Sequence, residues 1–209
     1  MNADKTKNGS WVLSCPRSSV AIVLQFLLLT PKHVTVSLYL EGNMEPARDW
    51  RAILRERLPL YGHRNWIVVA DAAYPAQSSP GIETVVTASG QVEAIEEVLA
   101  AIGASGHVRP LVYVDRELQF VTEADAPGAD TFRACLSELT RPYDRRDLPH
   151  EEIISMLDRA GATFRILILK TAMRIPYTTV FLNLDCDYWD AEAERRLRAS
   201  MADDATNSR

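Results

Sequence analysis

Two hydrophobic periods alternate along the chain after residue 44, one typical of helices and the other of strands. Helical spacing of apolar residues predicts helices over 47–58, 91–102, 129–139, 149–159 and 191–201. Short apolar runs rich in β-branched residues predict strands over 65–71, 82–87, 110–121, 164–170 and 179–184. The charged stretch 141–148 is predicted to be a loop. Strands that alternate with helices indicate a single α/β domain with a central, mostly parallel sheet flanked by helices.

The first 43 residues follow a different pattern. The apolar run 20–29 is too short to span a bilayer, which takes about 20 residues, and no signal-peptide cleavage site follows it. Residues 34–40 alternate as a strand would. Two interpretations stay open: an additional strand or helix, or translation that begins at Met44. We favour the second, because residues 45–50 form a reasonable helix opening with a proline in the first turn.

Composition narrows the classes of function. The 209 residues are 47% hydrophobic and 24% charged, which is ordinary for a globular protein. We expect an amino-terminal extension over 1–43, one domain over 44–202 and a tail over 203–209. The net charge of −5 lacks the basic footprint of a nucleic-acid-binding protein, and no Lys/Arg cluster suggests a membrane partner.

The three cysteines are odd in number and widely spaced. This pattern argues against a disulfide framework and favours a reducing compartment, so we predict a cytoplasmic protein. No Cys-x-x-Cys pair or His-rich cluster suggests structural zinc.

The segment 61–78 contains the most informative candidates for catalytic residues. His63 follows Gly62 just before an apolar strand, and Asp71 stands at the end of that strand. Sheet enzymes often keep polar groups beyond the carboxyl end of a strand. A histidine and an aspartate in one pocket can share acid–base work near neutral pH, which is the arrangement we predict here.

This segment resembles the opening signature of the ribose pyranase / fucose mutarotase family. That signature reads Gly-His, a short apolar strand, then Asp-Ala-x-(aromatic or Leu)-Pro. The chain has Gly62-His63 and, after the strand, the residues 71–78 with the sequence DAAYPAQS. The resemblance extends over about 44–185. It implies a monosaccharide isomerase without cofactor or metal, acting on a sugar such as ribose or fucose.

The resemblance also implies site residues and an assembly. Catalytic roles fall to His63, Asp71, His150 and Tyr177, and sugar contacts to Thr179 and Gln77. His63 is expected to act as general acid or base, and Asp71 to orient a histidine and hold a sugar hydroxyl. The family resemblance further implies a ring-like homo-oligomer whose sites lie near subunit interfaces.

Two departures from the family pattern support a second interpretation. Where the family has a small residue and Asn after its tyrosine, this chain has Thr178 and Thr179. Ala73 stands where the fucose branch has a histidine. These features favour a sugar-binding or regulatory relative that does not catalyse exchange.

A third interpretation starts from Asp185-x-Asp187 at the end of the last strand. Paired carboxylates suit Mg²⁺ or Mn²⁺, and nucleotide-sugar transferases use such a pair. The motif is only two residues long, and no nucleotide-binding half precedes it. A turn that leads into the last helix is the simpler interpretation.

Overall fold

A computed structural model describes residues 49–207, with side chains up to 202. The apolar run 20–29, the strand over 34–40 and the start at Met44 lie outside these residues. Six strands are present, at Trp66–Ala70 (β1), Ile82–Val86 (β2), Val108–Asp115 (β3), Asp144–Leu148 (β4), Ile166–Lys170 (β5) and Val180–Cys186 (β6). The helices are Trp50–Arg57 (α1), Gln91–Ser105 (α2), Ala129–Thr140 (α3), His150–Gly161 (α4) and Ala191–Asn207 (α5).

The strands form one sheet in the order β2-β5-β1-β6-β3-β4. Five strands run in the same direction, and β6 runs antiparallel between β1 and β3. The predicted mostly parallel α/β sheet is therefore confirmed. The carboxyl ends of the five parallel strands meet the start of β6 at one edge, which we call the carboxyl edge. Their amino ends meet the end of β6 at the opposite edge, the amino edge.

Alternate residues of the central strands supply the two faces of the core. In β1, Ile67 and Val69 pack with α1, α2 and α3 on one face. Val68 and Ala70 belong to the other face, which Ile153 and Leu157 of α4 cover. Because β1 is buried on both faces, it is continuously apolar, as expected for a central strand of a parallel sheet.

Two predictions at β3 and β4 were wrong. The third strand ends at Asp115, and a 3₁₀ turn at Arg116–Phe120 replaces its predicted continuation to Val121. The stretch predicted as a loop contains β4, which pairs in parallel with β3. The charged residues of β4 concealed the strand, because an edge strand can keep charged side chains in contact with water.

The helix ends also differ in detail from the prediction. Gly103 lies inside α2, and the left-handed Gly106 at φ +67° ends that helix. The last helix continues to Asn207, into the predicted tail. No helix among residues 49–207 is long and apolar enough to cross a membrane.

Candidate functional site

Polar side chains converge at the carboxyl edge, where neighbouring elements end or begin. The residues gathered there are Asp71 after β1, Asp115 at the end of β3, His150 at the start of α4, and Tyr177 and Thr179 before β6. Four of the six residues predicted from the sequence are in this group, and Gln77 lies in the loop that follows β1.

The closest contact between two titratable side chains in the group joins β3 to α4. Nδ1 of His150 lies 3.1 Å from Oδ2 of Asp115. The parallel β3–β4 pairing creates this approach, because Asp115 is in register with Leu148, two residues before His150. The His150 backbone N–H donates to both carboxylate oxygens of Glu117, at 3.1 Å each, which fixes the start of α4.

Asp115 is an unusual residue for a protein interior. It is 1% exposed, and neither carboxylate oxygen accepts a hydrogen bond of normal geometry from the described part of the chain. Burial raises the pKa of Asp115 to about 6, against the lowering effect of His150. A buried carboxylate without a full set of hydrogen bonds is costly, so its retention indicates a role other than stability.

Tyr177 is held in a backbone conformation that its residue type rarely adopts. Its φ is +60°, the left-handed region that turns after proline normally fill with glycine or asparagine. Its ring packs edge-on against His150, with centroids 5.8 Å apart and planes at 76°. The side chain is 39% exposed, so one part of the ring faces solvent beside the imidazole. Such strain is concentrated at functional sites.

Asp71 and Thr179 form a second pair at the same edge. The Thr179 hydroxyl donates to Oδ2 of Asp71 at 2.9 Å and lies 3.3 Å from the Asp71 backbone N–H, which donates to it. The other carboxylate oxygen of Asp71 accepts from the backbone N–H of Ala73 at 2.8 Å. Thr179 is buried, whereas Asp71 is partly exposed. The carboxylate is thus oriented from within the chain and still accessible from outside.

A buried glutamine holds the strand ends together beneath these residues. Nε2 of Gln91, at the start of α2, donates to the carbonyls of Val69 at 3.0 Å and Thr178 at 2.7 Å. Its Oε1 accepts from the Thr171 hydroxyl at 2.5 Å. Gln91 therefore ties the ends of β1 and β5 to the turn that carries Tyr177.

Gln77, predicted to contact sugar, contacts Tyr74 within the chain. Its Nε2 donates to the Tyr74 hydroxyl at 3.2 Å. Tyr74 is buried, and this burial raises its pKa. Lys170 at the end of β5 donates to the Tyr74 carbonyl at 2.7 Å, so this loop is fixed against the carboxyl edge.

His63 lies at the amino edge, in an exposed turn that precedes β1. The five residues of β1 span about 16 Å between His63 and Asp71. The expectation that these two residues share one pocket is therefore not met within one chain. His63 instead lies near Asp185, whose pKa its charge helps to lower.

The Asp185-x-Asp187 motif is also at the amino edge. Arg109 donates to Asp185 at 2.8 Å. Burial acts to raise the pKa of Asp185, but hydrogen bonds from Arg109 and from the Cys186 backbone lower it overall. Among the residues whose side chains are described, no group of three His, Cys, Asp or Glu residues could hold a metal ion.

A cavity of about 460 Å³ lies along α1 and α2, away from these polar groups. Apolar side chains such as Leu54 and Leu58 line it together with Arg51, Glu97 and His107. Glu97 is occupied by Arg51, whose Nε donates to it at 2.5 Å. His107 is occupied too, since its Nε2 lies 2.9 Å from the Tyr61 carbonyl. The cavity therefore offers no free acid–base group, and the carboxyl edge is the better candidate site.

Two residues of the site, Asp115 and Gln91, were not predicted from the sequence. Asp115 has the same signal as Asp71, a carboxylate at the end of an apolar strand, but the overlong strand prediction hid it. Gln91 has no sequence signal, because a glutamine in a first helical turn is usually exposed.

Comparisons with known proteins find similar chains among solved structures. No protein-family model and no curated protein matches the chain. Among solved structures, the chain is similar to Bacillus subtilis RbsD complexed with D-ribose, at 19% identity over 71% of this chain and 98% of that one, with a TM-score of 0.46. It is also similar to the fucose mutarotase in complex with L-fucose from Streptococcus pneumoniae, at 17% identity over 68% and 97%, with a TM-score of 0.46.

A third similar structure is FucU from Bifidobacterium longum, at 15% identity over 64% of this chain and 92% of that one, with a TM-score of 0.44. The structural similarity that the sequence resemblance predicted is thus present, at low sequence identity.

Proposed function

We propose that the protein is a cofactor-free isomerase that interconverts the ring or anomeric forms of a monosaccharide. The observation that carries the proposal is the convergence of His150, Asp71 and Tyr177 at the carboxyl edge. An imidazole, a partly exposed carboxylate and an aromatic ring together match the needs of a hemiacetal sugar. The sequence resemblance to ribose pyranases and fucose mutarotases supports the same conclusion.

The reaction requires only proton transfers. A base takes the proton of the anomeric hydroxyl, C1=O forms, and the C1–O bond of the ring breaks. The electron pair of that bond goes to the ring oxygen, which takes a proton from an acid. Closure from the other face, or through another hydroxyl, reverses these steps. Each positioned acid or base contributes about 10²–10⁴-fold in rate.

The chain's own residues divide these tasks. His150 exchanges the proton, because histidine can act as acid and as base near neutral pH. Asp71 accepts hydrogen bonds from sugar hydroxyls through the part of its carboxylate that faces solvent. Tyr177 supplies an aromatic face and a hydroxyl at the margin of the site. Thr179 acts by orienting Asp71, since its hydroxyl already donates to that carboxylate.

His63 enters this proposal through a second copy of the chain. The amino edge of one copy, which carries His63, would face the carboxyl edge of the next, in a head-to-tail contact that closes into a ring. His63 would then act beside the Asp71 of its neighbour. This arrangement reconciles the exposed position of His63 with the catalytic role expected from the sequence.

A non-catalytic monosaccharide-binding protein is the second candidate, and one observation favours it. Both threonines at the position of the family's small residue and Asn are used inside the chain. The Thr178 hydroxyl donates to the Ile175 carbonyl at 2.7 Å, and the Thr179 hydroxyl donates to Asp71. Neither offers a sugar the free amide that asparagine would. Such a protein would bind a sugar without accelerating its exchange.

Saturation transfer between anomeric protons, measured by NMR, separates the two candidates. Ribose, fucose, galactose and glucose are compared with wild-type protein, with His63→Ala and without protein. Faster exchange with the wild type, lost in His63→Ala, supports the isomerase and names its substrate. Unchanged exchange of all four sugars, with line broadening that reports binding, supports the binding protein instead.

A further inference from the structure

The buried carboxylate of Asp115 has no task in the scheme above. We propose that Asp115 is a positioning residue: it holds Nδ1 of His150 so that Nε2 exchanges protons with the sugar. This inference rests on the proposed function, since it explains how the imidazole of His150 is oriented for that reaction. No motif in the sequence assigns a role to Asp115.

The geometry shows which ring nitrogen of His150 is contacted by Asp115. Asp115 approaches Nδ1 at 3.1 Å, so the other ring nitrogen is the one left for a substrate. The side chain of Asp115 does not cap the 3₁₀ turn that follows it, so its carboxylate is not committed to the backbone. In the described part of the chain, neither this nitrogen nor the carboxylate has a hydrogen-bond partner of normal geometry. Catalytic hydrogen bonds are often long or poorly aligned without substrate and tighten in the complex.

Two further contacts restrict the imidazole. Glu117 binds the His150 backbone N–H and fixes the first residue of α4. The strained Tyr177 packs against the ring edge-on. Glu117 thus fixes the backbone of His150, Tyr177 contacts one side of its ring, and Asp115 contacts its Nδ1. A residue held from three directions for packing alone would not need a buried, incompletely bonded carboxylate among its contacts.

The charges around Asp115 agree with a role beside a cation. The groups whose charges reach it are His150, Glu117 and Asp71, and its own charge reaches Tyr74. Both of the other carboxylates act to raise the pKa of Asp115, and only His150 acts to lower it. An imidazolium is therefore the one favourable partner among these groups. As His150 takes a proton during turnover, Asp115 stabilises the charge that forms.

The test compares Asp115→Asn and Asp115→Ala with Asp147→Asn as matched control. Asp147 is a half-buried carboxylate three residues before His150, paired with Arg145 at 2.7 Å and outside the site. We expect Asp115→Asn to lower kcat about 10²–10⁴-fold with little change in KM. In the wild type, kcat/KM falls as the pH drops below about 6, where Asp115 takes up a proton. The part of this acid limb that Asp115 causes is absent in Asp115→Asn, and Asp147→Asn behaves as the wild type.

A readout that does not depend on turnover separates this inference from the proposed function. In ¹⁵N NMR spectra of the imidazole, neutral His150 should carry its proton on Nδ1 in the wild type and shift toward Nε2–H in Asp115→Ala. A protein that accelerates exchange but keeps wild-type kcat and the same His150 spectrum in both variants would overturn the positioning role alone. A protein that accelerates no sugar would overturn the proposed function, while the tautomer still decides whether Asp115 holds His150.

Discussion

The two edges of the sheet contain similar residue types in different states. Each has a histidine near an aspartate, His150 with Asp115 at the carboxyl edge and His63 with Asp185 at the amino edge. Asp115 is 1% exposed and has no normal hydrogen bond from residues 49–202, whereas the side chain of Asp185 is 37% exposed and bound by Arg109. The difference teaches that identity and spacing of residues do not define a site. Burial without complete hydrogen bonding distinguishes Asp115 from Asp185.

The largest effects are expected from variants that test whether the two edges, on neighbouring copies, form one shared site. His63→Ala and His150→Ala are each expected to lower the exchange rate about 10²–10⁴-fold. If neighbouring copies share a site, assemblies formed by co-expression of the two variants regain activity, because about a quarter of all their contacts join an intact His63 to an intact His150. The measurement is the exchange rate of the mixed assembly against each variant alone.

Each variant assembled with itself is the control for this mixing experiment. Activity that is lost in both variants and never regained by mixing would contradict a site shared between copies. It would leave His150 as the acid–base group of a site within one chain.

The framework beneath the carboxyl edge offers the next test. Gln91→Met removes three buried hydrogen bonds, and we expect a loss of roughly 2–4 kcal/mol in the free energy of unfolding. Urea denaturation measures this loss. Gln119→Met is the matched control, since Gln119 is exposed and bonds only at the surface, to Asp147. A loss as small as that of the control would mean that Gln91 does not hold the strand ends.

Unlike Gln91→Met, the substitution Asp115→Asn is expected to raise the free energy of unfolding. Burial raises the Asp115 pKa from its ordinary 3.8 to about 6, so the unfolded chain releases the proton before the native protein does. The resulting destabilisation builds up as the pH rises from about 4 to about 6 and stays constant above. Asp115→Asn should therefore be on the order of 2–3 kcal/mol more stable than the wild type at pH 8.

This advantage of Asp115→Asn should disappear as the pH falls below about 3, because Asp115 is then largely protonated in both states. Thermal unfolding across this pH range checks it. A variant that is less stable than the wild type at every pH would show that Asp115 is a structural residue.

The smallest effect is expected for one ion pair at the amino edge. Arg109→Gln breaks the ion pair with Asp185, whose two side chains are 44% and 37% exposed. Such exposed pairs contribute about 0.2–1 kcal/mol, and salt reduces that contribution. Unfolding in low and high salt measures it. A loss of several kcal/mol, or a large loss of exchange activity, would mean that this pair is more than an ordinary exposed ion pair.

The sequence was sufficient for the frame of the fold but not for the arrangement of the site. The apolar runs of β1 and β5 identify central strands because these strands are buried on both faces. β4 was not predicted because its charged residues form ion pairs with one another, as Arg145 does with Asp147. An edge strand of this kind needs no apolar pattern. With β4 missing, nothing in the sequence brought Asp115 to His150. The distance between His63 and Asp71 follows from strand length alone, once β1 is known to be straight and continuous.

Whether the reaction takes place at the carboxyl edge is decided by the anomeric exchange rate, measured by saturation transfer with His150→Gln and His107→Gln in parallel. Both substitutions replace a partly buried imidazole by the same neutral side chain, and His107 lies at the amino edge, bound to the Tyr61 carbonyl. We expect His107→Gln to accelerate exchange as the wild type does and His150→Gln to lose at least about 10²-fold. Equal acceleration by both variants would contradict the assignment of the reaction to the carboxyl edge.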